Sequence, residues 1–425
     1  VDEHGGYNAS TLVAMSELQS LRRRLNRLGT KRPAARTRRP PDSELTPLPA
    51  FPVGEEVETA LGRTFRIEQR WSLEHFHGPT RLGDLLTMQL GVAAELAARP
   101  DLSSASPEGL VFLDTETTGL AGGAGTLVFL VGVGSVVQGE FRMRQYFLRH
   151  PDEEPAMLLA LAEDLERAAA FVTFNGRSFD VPLLEMRYVM GLQRRWRLHD
   201  WPQLDLLFPS RRLWRRELID CSLGSLERHV LRLERTQQDV PGADIPGLYL
   251  DYLRTGRTDD MARVIYHNAQ DVLAMVALLD RLLHLHQDLG GEELTPSEAL
   301  AIARWHSRAG RWEPADAAYR RASAAPEQAV RIEALRRWAE QLKRSGNSLQ
   351  AVAVWREWHD LSADDPRPCV ELAKYYEWEA RDPAQARHWA ASGMVCLSHW
   401  PADWRRGEVS AQLEHRLERL ARKVG

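Results

Sequence analysis

Asp114 and Glu116 stand one residue apart at the end of an apolar run, Leu110-Val-Phe-Leu113. If that run is a strand, positions i and i+2 share a face, so the two carboxylates project together. Neighbouring acids repel and resist ionising side by side unless a cation lies between them. Another acid, Asp180, follows Phe171-Val-Thr-Phe174 and the turn dipeptide Asn175-Gly176. Asp271 comes four residues after His267 in a helical stretch, a spacing that puts both side chains on one face. Carboxylate oxygens are hard ligands and select Mg²⁺ or Mn²⁺ over zinc. An imidazole beside them titrates near neutrality and suits proton transfer. Holding a divalent metal ion is the chemistry this set points to. Each signal also has an ordinary counterpart: a solvated turn for the first pair, a helix cap for Asp180, an ion pair for His267 and Asp271.

Such residues converge only if the chain between them folds as a frame. Residues 110–113, 127–137, 142–147 and 171–174 read as strands, with Gly122, Gly123 and Gly125 turning the chain between the first two. Residues 156–170, 182–188, 223–233 and 262–285 read as helices. Strands first and helices later imply an α/β domain over 107–290, a mixed central sheet flanked by helices. Ahead of it, 51–106 is a lead-in segment. Residues 64–71 alternate there like an exposed edge strand, and His75 and His77 fall in a polar stretch read as a surface loop. Residues 1–50 are a basic leader expected to lack regular structure, with 12–28 able to form a short amphipathic helix. It carries nine Lys or Arg and no acid between Arg22 and Arg39, which fits a solvated tail or a phosphate-binding arm.

From 291 to 425 the pattern is all-α and repetitive. Gly310-Arg311, Gly346-Asn347 and Arg381-Asp382 each precede an alanine (Ala315, Ala351, Ala386) and an aromatic (Tyr319, Trp355, Trp389). A tight turn, a small residue and an aromatic at such a period are what stacked helical hairpins need, with a last helix over 408–423 covering the open end. The tryptophans are then core rather than a binding cage.

A net charge of −4 means that a polyanion would be attracted only by a local patch. One candidate is 194–216, where seven arginines face two aspartates among Trp196, Trp201, Phe208 and Trp214. Arginine for phosphate and aromatics for base stacking is the single-strand binding pattern, with Arg211 and Arg212 as contacts; a solvated helix face over buried aromatics is the competing reading. In the same stretch Asp205 is expected to cap rather than to support the site. Gly122-Gly-Ala-Gly-Thr126 lacks the lysine of a phosphate loop, which excludes nucleoside triphosphate binding there. Three widely spaced cysteines, Cys221, Cys369 and Cys396, are expected to form neither a disulfide framework nor a zinc pair, which implies a reducing cytoplasm. The seven-residue apolar run 127–133 is too short to cross a membrane.

Taken in order, Asp-x-Glu at a strand end, a later Asp after a strand and turn, and a helical His-x-x-x-Asp resemble the motifs of the DEDD exonucleases. The resemblance spans about 180 residues and implies an RNase H-like fold, two Mg²⁺ or Mn²⁺ ions on Asp114, Glu116, Asp180 and Asp271, and removal of nucleotides from 3′ ends. Thr117, Gly119 and Leu120 extend the first motif; Asn175 and Phe179 match the second. Thr117, Thr118, Leu120 and Asn175 are thereby expected beside the terminal nucleotide. The last motif departs from the family, which uses Y-x3-D or H-x4-D, whereas His267 has the tyrosine spacing and Tyr266 precedes it. Helix geometry favours His267 as the base, because a separation of four turns a side chain only about 40° from Asp271, against about 140° for five. Tyr266 is then a packing residue. The stretches Ser222-Leu-Gly-Ser-Leu-Glu-Arg228, Asp244-Ile-Pro-Gly-Leu-Tyr-Leu-Asp-Tyr252 and His267-Asn268, followed by repeats like those of tetratricopeptide proteins, resemble the YprB-like family. That implies a DNA-repair exonuclease with a helicase partner and a protein ligand for the repeats. An exoribonuclease of the same mechanism, or a non-catalytic nucleic-acid-binding scaffold, are the alternatives.

Overall fold

The computed structural model describes residues 50–119, 125–236, 239–400 and 404–424. Two compact units emerge, one of residues up to Arg211 with Glu217–Leu283, the other of Arg212–Arg216 with the chain from His284 onward. The leader, including its possible helix at 12–28, lies outside the described residues. So does the segment 120–124, with Leu120, Gly122 and Gly123.

The first unit is built on a seven-stranded mixed sheet in the order β1-β2-β7-β6-β5-β8-β9. Its strands are β1 (Glu55–Thr59), β2 (Gly62–Ser72), β5 (Leu110–Thr117), β6 (Val128–Val137), β7 (Glu140–Phe147), β8 (Ala170–Thr173) and β9 (Gln203–Asp205); β3 (Phe76–His77) and β4 (Thr80–Arg81) form a separate hairpin. The pairs from β1 to β5 are antiparallel, and β5–β8 and β8–β9 are parallel. A hairpin joins antiparallel neighbours, whereas a parallel pair needs a crossover, and here helices supply it. These are α2 (Glu154–Leu165) between β7 and β8 and α3 (Asp180–Leu192) between β8 and β9. α1 (Leu90–Ala97), α4 (Leu207–Trp214), α5 (Leu223–His229), α6 (Ile245–Thr255) and α7 (Asp259–Gln287) complete the helices up to 287.

β5 and β6 read as continuous apolar runs because both of their faces are covered. The core gathers Val111, Leu113, Phe129, Val131, Tyr146, Leu161, Phe171, Leu184 and Tyr249, all buried. The Tyr249 ring of α6 stacks on Phe129 at 3.9 Å and 4° between planes, and its hydroxyl donates to Leu148 O at 2.8 Å.

Three expectations about this unit change. The 64–71 strand is not an edge: β2 lies between β1 and β7, so the lead-in extends the sheet by two strands. His77 is not on a surface loop but is 8% exposed on the β3–β4 hairpin, and burial pushes its imidazole down to about 4. The helix expected over 223–233 stops at His229, and Arg232 takes a left-handed φ of 56°, which sends the following residues back toward α5.

The second unit is helical throughout: α8 (Pro296–Arg308), α9 (Trp312–Ser323), α10 (Gln328–Arg344), α11 (Ser348–Leu361), α12 (Arg367–Trp378), α13 (Pro383–His399) and α14 (Trp404–Val424), each packed on the next. The repeated turn has a physical signature. Gly310, Gly346 and Arg381 all adopt positive φ, at 71°, 78° and 54°. The alanines five residues further on, Ala315, Ala351 and Ala386, are fully buried where helices touch. Trp338, Trp355 and Trp358 are core, whereas Trp312 and Trp378 are exposed. No helix among the described residues is long and apolar enough to cross a membrane.

Candidate active site

β5 delivers Asp114 and Glu116 to one face, as its alternating burial shows, and a register break against β6 falls just after Glu116. Asp114 is held by Asn268, whose Nδ2 donates to Asp114 Oδ2 at 2.7 Å; Asn268 Oδ1 in turn accepts from Gln145 Nε2 at 2.8 Å. A relay of buried amides thus runs from β7 through α7 to β5. It needs α7 to lie unusually close to the sheet. Gly132 of β6 permits this, since a Cβ there would sit 2.4 Å from Asn268 Oδ1.

α7 presents His267 and Asp271 beside Glu116, and the three offer ligand atoms all within 4.8 Å of one another. Asp180 opens α3 and is 5% exposed, but it does not cap that helix: its Oδ1 accepts from the Thr115 hydroxyl. It lies outside the tightest cluster, yet within electrostatic reach of Asp114 and Glu116. Burial, with the charges of Asp271 and Asp180 next, drives the Asp114 carboxyl well above its ordinary range. Glu116 rises for the same reasons, burial first and then Asp114. Asp180 is pushed up to about 6 by burial against the opposing Thr115 bond. Several buried or half-buried carboxylates that destabilise one another's charge, all hard oxygen donors, fit a divalent cation.

The turn that carries Asp180 is fixed from β9. Asp205 Oδ1 accepts from the backbone N–H of Asn175 at 2.8 Å and of Leu207 at 3.1 Å, and Oδ2 from that of Arg177 at 3.2 Å. Asn175 sits at φ 65°. Asp205 therefore does cap, but the turn it holds is that of the site. Thr118 Oγ1 accepts from Leu127 N at 3.0 Å, and the Thr117 hydroxyl donates to Gly119 O at 2.9 Å, so both hydroxyls bond to backbone next to the end of β5.

Arg235, Glu227 and Asp239 complete the site and were not singled out from the sequence. Arg235 donates to Asp271 and, at 2.8 Å, to Glu227. Burial alone would weaken its charge, but Asp271 and Glu227 more than compensate and keep it cationic. His267 Nδ1 lies 2.7 Å from Asp239 Oδ1 and its Nε2 3.5 Å from Asp271 Oδ2. Arg235 Nη1 also approaches Nδ1 at 3.0 Å, but that nitrogen cannot donate to Asp239 and accept from Arg235 together. The shorter contact to a carboxylate assigns it as the donor. Burial disfavours an imidazolium here, but the Asp239 bond and the Asp271 charge outweigh it and raise His267 above its usual value. Tyr266 bonds instead with Thr236, at 3.3 Å.

One signal for the missed residues was available: Glu227 is an acid on the apolar face of α5, beside Leu223 and Leu226, and is 2% exposed. Arg235 and Asp239 lie in irregular chain, where no periodicity marks them. The β3–β4 hairpin supports that chain, with Gly78 packed so closely on Leu233 that a Cβ would fall 2.9 Å from it.

An open cleft of about 620 Å³ leads to Asp271 and His267, lined also by Gly224, Glu227, Arg228, Arg235 and Asp239. Arg211 and Arg212 do not line it. Both are exposed, and Arg212 lies over the Trp305 ring at 5.7 Å in the helical unit. The expected stacking surface is largely interior: Trp196 and Trp214 are buried, and only Phe208 is well exposed.

Residues 111–283 match the family model of the RNase_H superfamily. The chain is also 29% identical over 374 residues to "Uncharacterized protein YprB" of Bacillus subtilis (strain 168), a match that covers 84% of this chain and 85% of that protein. The sheet order, the crossover helices and the family match agree: this chain carries an RNase H-like domain, a mixed central sheet flanked by helices, followed by an all-helical region.

Proposed function

We propose that the chain is a metal-dependent 3′–5′ exonuclease that hydrolyses phosphodiester bonds, DNA being the favoured substrate. The observation that carries this reading is the meeting of Glu116, His267 and Asp271, with Asp114 and Asp180 in electrostatic contact, at the end of an RNase H-like sheet. Two Mg²⁺ or Mn²⁺ ions held by Asp114, Glu116, Asp180 and Asp271 would supply a more acidic water and neutralise the departing 3′ oxygen. The protein's own part is positional and protolytic. Asp239 holds the Nδ1 proton of His267, which leaves Nε2 to accept the proton of the attacking water. The water oxygen bonds to phosphorus as the bond from phosphorus to the 3′ oxygen breaks, and a 5′-mononucleotide leaves. Asn268 keeps Asp114 turned inward, and Arg235 anchors Asp271. Arg228, exposed at the cleft, is placed to meet a backbone phosphate.

A role in DNA repair and a helicase partner rest on family resemblance, protein recognition by the helical region also on its repeated turns, and a cytoplasmic location on the cysteine usage; all belong to the same proposal. The test is digestion of strands labelled at the 3′ or the 5′ end, as DNA and as RNA, with Mg²⁺, Mn²⁺ or EDTA. Immediate release of 3′ label as mononucleotide, with a 5′-labelled ladder that shortens gradually and only with metal, is expected. Release of 5′ label first, or cutting in EDTA, would refute it.

A further inference from the structure

The helical unit brings together three metal-ligating side chains that no sequence spacing announces. His359 near the end of α11, Cys369 in the first turn of α12 and Cys396 in the last turn of α13 offer ligand atoms all within 4.8 Å of one another. Cys369 Sγ lies 3.4 Å from His359 Nδ1. The cysteines are expected from the sequence to form no zinc pair, yet in the fold Cys369 and Cys396 converge on His359. Gly393 explains the approach: with no side chain of its own, it lets α13 close on Cys369, whose Cβ lies 3.2 Å from where a Cβ on residue 393 would be. Cys396, three residues on, then shares that face.

We propose that His359, Cys369 and Cys396 bind a thiophilic divalent cation of the zinc class, which ties three successive helices together, with solvent as the fourth ligand. A tetrahedral zinc with sulfur ligands near 2.3 Å spaces its donors by roughly 3.5–3.8 Å. The present spacing is therefore close to a binding geometry without movement of a helix. Imidazole and thiolate are softer donors than carboxylate and select zinc rather than magnesium. The set is distinct in kind from the oxygen donors of the active site. On binding, each thiol yields its proton to solvent, and two thiolates balance the two charges of the ion. Both cysteines are buried, and burial keeps their thiols protonated in the metal-free chain; Asp365 nearby adds negative potential that favours a cation. His359 is half-buried, with a path to solvent, and the Trp389 ring stands edge-on to it at 5.4 Å and 86°, restricting its orientation. Two buried thiols serving merely as small apolar residues would need none of this convergence.

The experiment is Co²⁺ titration of the reduced, full-length chain followed by absorption. One equivalent should produce a sulfur-to-cobalt charge-transfer band and intense tetrahedral visible bands, both removed by one equivalent of Zn²⁺. Oxygen-ligated Co²⁺ in the active site gives no such band, so the readout does not depend on nuclease activity. Cys369→Ser and Cys396→Ser should each lose the charge-transfer intensity while keeping the wild-type helical circular dichroism; His359→Gln should weaken binding and shift the visible bands. Absence of the charge-transfer band in the reduced wild type would overturn the proposal. So would its persistence in Cys369→Ser, or recovery of Cys369 and Cys396 as a disulfide that Zn²⁺ fails to prevent.

Discussion

His267 is held by two carboxylates with different consequences. The bond to Asp239 at Nδ1 fixes the ring and the tautomer; the Asp271 charge beside Nε2 raises the basicity of the free nitrogen. His267→Ala is expected to lower kcat by about a hundredfold to ten-thousandfold while Mn²⁺ binding stays near wild type, as single-turnover assays beside metal titrations would measure. Asp239→Asn, which leaves the ring but loses the charge, should cost about tenfold to a hundredfold. Equal activity in His267→Ala would move the base elsewhere. The carboxylates make a pH prediction. Asp180 is raised to about 6 by burial, so below that pH it carries a proton that a metal must expel. Metal affinity should therefore fall as pH drops through 6, and binding near neutrality should release protons from Asp114 and Glu116. Calorimetry in buffers of different ionisation enthalpy measures both; a flat affinity without proton release would contradict the burial argument.

Elements were legible where periodicity and turn chemistry agreed. The apolar runs around Asp114 and after Phe171 form β5 and β8, and the Asn175-Gly176 dipeptide turns the chain as its composition implies. The helix with His267 was visible because apolar residues recur along it. What escaped were features set by tertiary contact. The 64–71 strand alternates like an edge but is paired on both sides, because polar side chains on an extended sheet leave the same pattern as an edge. Arg235 and Asp239 act from irregular chain, and an arginine-rich stretch at 194–216 spends its tryptophans on the core and Arg194 on Trp196. Gly132 would have been read as a weak point in a strand; its purpose is the approach of α7. Gly132→Ala is accordingly expected to destabilise the domain by about 1–3 kcal/mol in denaturant unfolding, and to reduce turnover more than that loss explains, because Asn268 and Asp271 shift with the helix. Wild-type kinetics in a folded Gly132→Ala protein would show that the close approach does not set the site.

At the scale of the whole molecule, the chain combines an RNase H-like domain with a helical unit whose turns repeat one backbone device. Arg381 occupies a position that Gly310 and Gly346 take without strain, which is why that third turn was the least obvious from sequence. With a net charge of −4 the molecule offers no global attraction to nucleic acid, so the proposed function rests on the charge balance inside one cleft. Mn²⁺ binding to the intact chain at neutral pH, counted by electron paramagnetic resonance with and without single-stranded DNA, probes that balance most directly. Two ions bound in wild type, with binding lost in Asp114→Asn and in Asp271→Asn while the fold stays unchanged by circular dichroism, is the predicted result. Mn²⁺ binding that is absent in wild type, or unaffected by either substitution, would contradict it.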